Sequence, residues 1–198
     1  MRSYFYLTDQ ALVMLIITII FISFSKVHSQ KQIFFIHDRD TKIQGAKLYG
    51  ADLQGGNSGL FIETTSVIDI TIDPENQLLY WTEPGAIRRV NTDGSQIQNL
   101  ITSGVQDPDY LSLDLQAGKM YWVDGGFSSD RIKWANFNGS ENQDLITDLD
   151  QPLDLTYNFR TGKIYWREGG SFATLLKRAN KDGTELETIV EDGSGIQS

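Results

Sequence analysis

The stretch Leu79-Tyr80-Trp81-Thr82-Glu83 decides the fold, because it returns twice further along the chain. The later copies are Met120-Tyr121-Trp122-Val123-Asp124 and Ile164-Tyr165-Trp166-Arg167-Glu168, so the three Tyr are 41 and 44 residues apart. A degenerate copy, Phe34-Phe35-Ile36-His37-Asp38, lies 45 residues before the first. The chain therefore contains an internal repeat with a period of about 40 to 45 residues.

Each copy of the motif is surrounded by the same signals for short antiparallel strands. A polar turn residue stands seven positions before each Tyr and follows an alternating run, which is typical of a strand: Asp73, Asp114 and Asn158. A basic strand follows each motif and closes on a strong hairpin signal: Asp93-Gly94, Asn138-Gly139 and Asp182-Gly183. A last, outer strand ends each period. The pattern predicts one four-stranded propeller blade per period, with periods starting near residues 33, 78, 119 and 163.

The N-terminus predicts export. Residues 11–24 form an uncharged apolar run that is shorter than the roughly 20 residues a spanning helix needs. Arg2 precedes the run, and Val27-His28-Ser29 offers small or medium side chains to a signal peptidase. We predict a signal peptide over residues 1–29 and a mature chain over 30–198. The alternative is an uncleaved N-terminal anchor, and both place the remainder outside the cytoplasm, secreted or at the cell surface.

Composition argues against several classes of partner. The 198 residues are 40% hydrophobic, and 17 Lys and Arg against 26 Asp and Glu give a formal net charge of -9. A nucleic-acid phosphate backbone rewards a basic face, so no nucleic-acid partner is predicted. The chain has no Cys and two His, His28 and His37, too few for a Cys-ligated zinc site or a His-based metal site. No cofactor is predicted.

The motif and its accessory signals resemble the low-density-lipoprotein receptor class B repeat, also called the YWTD repeat. The resemblance covers about residues 33–198 and implies an all-β, six-bladed propeller. Such propellers occur in extracellular receptors for lipoproteins and Wnt-type ligands and in basement-membrane proteins, and bind protein ligands on one face. The resemblance therefore implies an extracellular, non-catalytic protein-binding module.

The chain departs from the family pattern in two ways. It encodes about four blades, one of them degenerate, which predicts an incomplete ring or a fragment. Further blades or self-association would then cover two open edges, the inner strand beginning at Ile33 and the final strand near 187–190. The cysteine-rich modules that flank these propellers in the receptors are absent, as is a membrane span after the repeats. The resemblance therefore does not imply that this chain is anchored in a membrane.

The repeated aromatic and acidic residues have a structural and a functional interpretation. We expect Tyr80, Tyr121 and Tyr165 and the adjacent Trp81, Trp122 and Trp166 to pack in the core rather than form a binding surface. One carboxylate recurs in each copy: Asp38, Glu83, Asp124 and Glu168. We expect these to pair with basic residues such as Arg88, Arg89, Lys133 or Arg178. The alternative is a carboxylate ring that holds a cation or catalyses hydrolysis.

Enzymatic function has little support in the sequence. A Ser-His-Asp set would need His37 as its base, and no Gly-Xaa-Ser-Xaa-Gly elbow accompanies it. The runner-up function is a lactonase-type propeller hydrolase with a metal in the central channel, and no loop has EF-hand spacing for calcium. Asn138-Gly139-Ser140 is an N-glycosylation sequon in a predicted hairpin, and the alternative is that it is simply a turn.

Overall fold

The fold is known from a computed structural model, which describes residues 20–21, 32–37, 47–52, 59–62, 64, 66–125, 130–169 and 174–192. These residues form β-strands and turns without a helix, which confirms the all-β prediction. Accordingly, none of them belongs to a helix that is long and apolar enough to cross a membrane. The six-blade count remains a prediction.

The strands form four antiparallel sheets of four strands each, and within each sheet the strands lie in chain order. The first sheet contains β1 Ile20–Phe21, β2 Gln32–His37, β3 Lys47–Asp52 and β4 Gly59–Ile62. The second contains β5 Ile70–Asp73, β6 Leu78–Glu83, β7 Ala86–Asn91 and β8 Gln98–Ile101. The third contains β9 Asp107–Asp114, β10 Lys119–Gly125, β11 Asp130–Asn136 and β12 Gln143–Leu149. The fourth contains β13 Leu153–Asn158, β14 Lys163–Glu168, β15 Thr174–Asn180 and β16 Glu187–Asp192.

The first sheet corrects one expectation about the open edges. The strand near Ile33 is not the innermost strand of its sheet, because β2 pairs on one side with β3 and on the other with Ile20 and Phe21. The motif strand therefore holds the second place in all four sheets, as the alignment of Phe34 with Leu79 implies. The rest of the predicted signal peptide lies outside the described residues, and its cleavage remains a prediction.

The chain divides into two compact units, residues 1–83 with 88–98 and residues 84–87 with 99–198. The first unit has a buried core that includes Phe34, Leu79 and Trp81. The second has its own core, which includes Tyr121, Ile164 and Trp166. In both units the motif strand supplies the largest buried side chains.

The hairpin turns between the third and fourth strands pack tightly on a neighbouring strand. Gly139 has a φ of +81°, and a Cβ there would lie 2.2 Å from the carbonyl oxygen of Leu100 in β8. Gly183 repeats the arrangement with a φ of +83° and the carbonyl oxygen of Leu145 in β12 at 2.8 Å. Glycine is required at both positions by the left-handed backbone and by the close approach.

Candidate binding site

The motif aromatics lie inside the sheets. Trp81, Trp122 and Trp166 are completely buried, as are Tyr80 and Tyr121. Tyr165, in the fourth sheet, is only half-buried. These rings supply packing to the scaffold, since a ring without exposed area cannot contact a ligand while the sheet is intact.

The motif carboxylates pair with basic residues, but with partly different partners from those expected. Glu83 binds Arg88 at 2.6 Å, as anticipated. Glu168 binds Lys177 at 2.7 Å, whereas Arg178 pairs with Glu187 on the outer strand. Side chains alternate along β15, so the two neighbouring basic residues point to opposite faces and only one can reach the acid.

The third sheet also differs from the expected pairing. Lys133 binds Asp144, and Asp124 is 4.0 Å from Arg131. Asp38 lies outside the described residues, and of the residues in the degenerate copy only Phe34 has a described side chain, which is buried.

The same carboxylates hold the segment that leads into their own sheet. The Thr64 hydroxyl donates to Glu83 at 2.8 Å. The backbone amides of Gln106 and Asp107 donate to Asp124 at 2.9 and 3.1 Å. The amide of Asp150 lies 3.5 Å from Glu168. Each acid thus fixes a connector to the motif strand through charge-assisted hydrogen bonds.

Two of the motif carboxylates also accept a hydrogen bond from the tryptophan of their own sheet, and Asp124 is too short to do so. The indole nitrogen of Trp81 donates to Glu83 at 3.2 Å, and that of Trp166 donates to Glu168 at 2.6 Å. In the third sheet Asp124 replaces Glu, and the buried indole nitrogen of Trp122 has no hydrogen-bond partner among the described residues. Burial raises the pKa of Asp124, and its hydrogen bonds with the Gln106 and Asp107 amides and its nearby cations offset only part of that rise.

Two further observations concern the metal and glycan expectations, which both remain predictions. Within the part of the chain that is described, no three His, Cys, Asp or Glu side chains are grouped so that they could hold a metal ion. Asn138 lies exposed in the turn between β11 and β12, where its side-chain oxygen accepts hydrogen bonds from Ser140. Its glycosylation remains a prediction.

A cavity of about 280 Å³ lies in the second unit, against the third sheet. Its walls come from the start of β10, from β11 and β12, and from the turn after β15: Ala117, Lys119, Tyr121, Trp134, Leu145, Lys181 and Asp182. The repeat motif did not single it out, because only Tyr121 belongs to the motif. One signal was present in the sequence: Trp134 interrupts the basic strand at a position where the second and fourth sheets have Arg89 and Arg178.

The chain is similar to known proteins in sequence and in fold. The chain is 35% identical over 125 residues to low-density lipoprotein receptor-related protein 5 from Mus musculus, covering 61% of this chain and 7% of that protein. It is 30% identical over 117 residues to nidogen-2 from Mus musculus, covering 57% of this chain and 8% of that protein. The nidogen/laminin complex superposes with a TM-score of 0.68 at 19% identity, over 83% of this chain and 62% of that one.

The chain is thus similar to YWTD β-propeller proteins in sequence and in fold. No protein-family model matches the chain. The chain spans less than a tenth of the two curated relatives above. A gluconolactonase from Xanthomonas campestris also superposes, with a TM-score of 0.60 at 19% identity over 83% of this chain and 59% of that one, which shows a shared fold alone.

Proposed function

We propose that this chain is an extracellular, non-catalytic module that binds another protein. The observation that carries the proposal is its sequence similarity to a lipoprotein receptor-related protein and to nidogen-2. The solved nidogen structure contains laminin, so a propeller of this fold occurs in a complex with a protein partner.

The ion pairs and hydrogen bonds of the motif carboxylates favour a binding module over an enzyme. The three described acids of the possible carboxylate ring, Glu83, Glu168 and Asp124, bind Arg88, Lys177 and backbone amides instead. A hydrolase would need a carboxylate free to bind metal or activate water. The runner-up, a lactonase-type hydrolase, is favoured only by the fold it shares with the gluconolactonase.

Surface plasmon resonance against immobilised extracellular proteins, with laminin as the first, tests the proposal. The full chain should be secreted from a glycosylating host. We expect saturable binding with a Kd on the order of micromolar or tighter. Gluconolactone turnover is measured in parallel with and without calcium and manganese. Turnover that chelation abolishes, together with no saturable protein binding, would support the hydrolase instead.

Two glycan positions can show which end of the third sheet contacts a ligand. Asn138 precedes β12, and a sequon made by Asp148→Asn with Asp150→Thr places a glycan on the last but one residue of this strand, so the two glycans lie near its opposite ends. A ligand that contacts one end loses affinity when that end alone carries a glycan. An equal loss of affinity with either glycan alone would indicate a folding defect, which circular dichroism of each variant would detect.

A further inference from the structure

The turn between β11 and β12 contains a carboxamide where the corresponding turns of the second and fourth sheets contain a carboxylate. Asn138 precedes Gly139, whereas Asp93 and Asp182 stand at the equivalent position before their own glycines. All three side chains make the same contacts, because one oxygen of each accepts hydrogen bonds from the backbone amide and the hydroxyl of the residue two positions later. The fold therefore accepts either an amide or a carboxylate in this turn.

An exposed asparagine that precedes a glycine is chemically labile. Asn138 is exposed, and Gly139 has no Cβ to crowd its backbone nitrogen. In deamidation this nitrogen attacks the Asn138 Cγ. The N–Cγ bond forms, the Cγ–Nδ2 bond breaks, and the amide proton passes through water to the leaving nitrogen, which departs as ammonia. Water then opens the cyclic imide at either carbonyl and leaves aspartate or isoaspartate.

The contacts of the turn keep the two reacting atoms apart. The bond to Cγ has to form along the direction of the Gly139 N–H bond, and this N–H donates to the Asn136 carbonyl at 2.8 Å. Rotating the peptide would also move Gly139, which packs so closely on β8 that a Cβ would lie 2.2 Å from the Leu100 carbonyl oxygen. Ser140 polarises the Asn138 amide through two hydrogen bonds, but this assists the reaction only after the nitrogen reaches the carbon. Asn138 is therefore protected while its turn is docked on β8.

A second contact holds the turn in the docked position. The side-chain amide of Asn142 donates to the carbonyl oxygens of Ser103 and Gly104 at 3.0 and 3.3 Å, and both of these residues lie just after β8. The turn can leave β8 only when these two hydrogen bonds break. Local openings of this kind require less free energy than global unfolding. The rate of deamidation should accordingly follow the fraction of time that the turn is open.

The two products of the reaction differ in how they fit the turn. An aspartate at position 138 would repeat the contacts of Asp93 and Asp182, whose pKa values are held below the ordinary value by hydrogen bonds from the residue two positions later. An isoaspartate would route the backbone through its own Cβ and Cγ. The turn would then be one carbon longer beside Gly139, which has no spare room on β8. The aspartate form can therefore dock again, whereas the isoaspartate form cannot.

We propose that Asn138 is a deamidation site whose reaction is gated by the docking of its turn on β8. The docked turn protects the amide, an open turn lets Gly139 attack it, and the aspartate that forms returns to the native turn. This covalent change is independent of the binding function proposed above.

Peptide mapping of the full chain, made in a non-glycosylating host and incubated at neutral pH, measures the reaction. The tryptic peptide 134–160 contains Asn138 together with Asn136 and Asn142, which precede larger side chains and serve as internal controls. We expect Asn138 to deamidate at least tenfold more slowly in the native chain than in urea, since tenfold protection needs an opening free energy of only about 1.4 kcal/mol. No reaction at Asn138 in urea, or equal rates in the two states, would overturn the proposal.

Two variants separate the gating from the intrinsic chemistry. Asn142→Ala removes the two hydrogen bonds that hold the turn and should speed deamidation of the native chain about five- to tenfold. It should leave the rate in urea unchanged, because the Asn138-Gly139 pair is intact. The neighbouring, exposed Gln143→Ala is the matched control and should change neither rate. Circular dichroism verifies that both variants are folded, and a native rate that Asn142→Ala does not raise would contradict the gating.

The fate of the products is tested with Asn138→Asp, which reproduces one of them directly. We expect its urea midpoint to equal that of the unmodified chain. Chains that form isoaspartate in urea, once separated and refolded, should have a lower midpoint. A lowered midpoint for Asn138→Asp, or an unchanged one for the isoaspartate form, would overturn the return of the aspartate product to the native turn.

Discussion

Replacing Asp124 by Glu should stabilise the third sheet. The longer side chain can accept a hydrogen bond from the buried indole nitrogen of Trp122, as Glu83 and Glu168 do for their own Trp. A hydrogen bond to a charged group contributes about 1.5–3 kcal/mol to stability. The carboxylate also retreats from the Gln106 amide, since the equivalent distance in the fourth sheet is 3.5 Å rather than 2.9 Å. We take that loss as about 1 kcal/mol, which leaves a net gain of about 1 kcal/mol.

Urea unfolding of the full chain, followed by tryptophan fluorescence, measures the change in the free energy of unfolding. The exchange rate of the Trp122 indole proton reports on the new hydrogen bond directly and should fall. Glu168→Asp is the matched reverse change. It should leave the indole of Trp166 unpaired and lower stability by about 1–3 kcal/mol.

Trp122→Phe tests whether the indole is the cause, because it removes the N–H and keeps an aromatic ring. In that background Asp124→Glu should give no gain, which a double-mutant cycle measures as a coupling energy. A gain that persists without the indole would refute the reasoning. So would a loss of stability in Asp124→Glu similar to that of Glu168→Asp.

Three more contacts can each be tested by a single substitution. Gly139→Ala should lower the free energy of unfolding by about 2 kcal/mol more than Gly162→Ala, because both have positive φ but only Gly139 has a carbonyl in the path of the Cβ; urea midpoints decide. Burial tends to raise the pKa of Asp114, but hydrogen bonds from the Ala117 amide, Lys181 and Tyr157 outweigh it and hold the pKa below the ordinary 3.8. Its contribution to stability is therefore present above pH 3.8 and is lost as pH falls through the lower folded value, so Asp114→Asn should flatten the stability curve below about pH 4, and an unchanged slope would contradict this. Asn138→Gln should remove one glycan from protein secreted by a glycosylating host, which mass spectrometry detects; an identical mass shift after deglycosylation of both proteins would show that Asn138 is unmodified.

The sequence predicted the strands well because each is bounded by turn chemistry and by an alternating pattern. Aligning Tyr80, Tyr121 and Tyr165 was enough to place the second strand of each sheet. The partners of the basic residues were not predictable in the same way. Which face Lys133 or Arg178 takes depends on the register of β11 and β15, and a shift of one residue exchanges the two faces.

The cavity in the second unit could not be predicted from the repeat pattern for a related reason. A pattern reports what the copies share, whereas this site depends on differences between copies at Ala117 and Trp134. Those differences gain meaning only when the register places Trp134 opposite Tyr121 and Ala117 lines the same cavity. The same holds for the Trp122 indole, which has no hydrogen-bond partner in the described parts of the chain, since the loss of one methylene at Asp124 leaves the repeat pattern unchanged.

The close approach of two glycine turns to an earlier strand has a consequence for synthesis on the ribosome. Gly139 packs on Leu100 and Gly183 on Leu145, so in both cases the turn meets a strand that was translated about 40 residues before it. Each of these two turns therefore finds the strand on which it packs already outside the exit tunnel. We expect the strands that carry Leu100 and Leu145 to be formed before the turns at Gly139 and Gly183 pack on them. Chains stalled on the ribosome with Gly139 already outside the tunnel should accordingly protect Leu100 from proteolysis, whereas chains stalled before residue 139 should not.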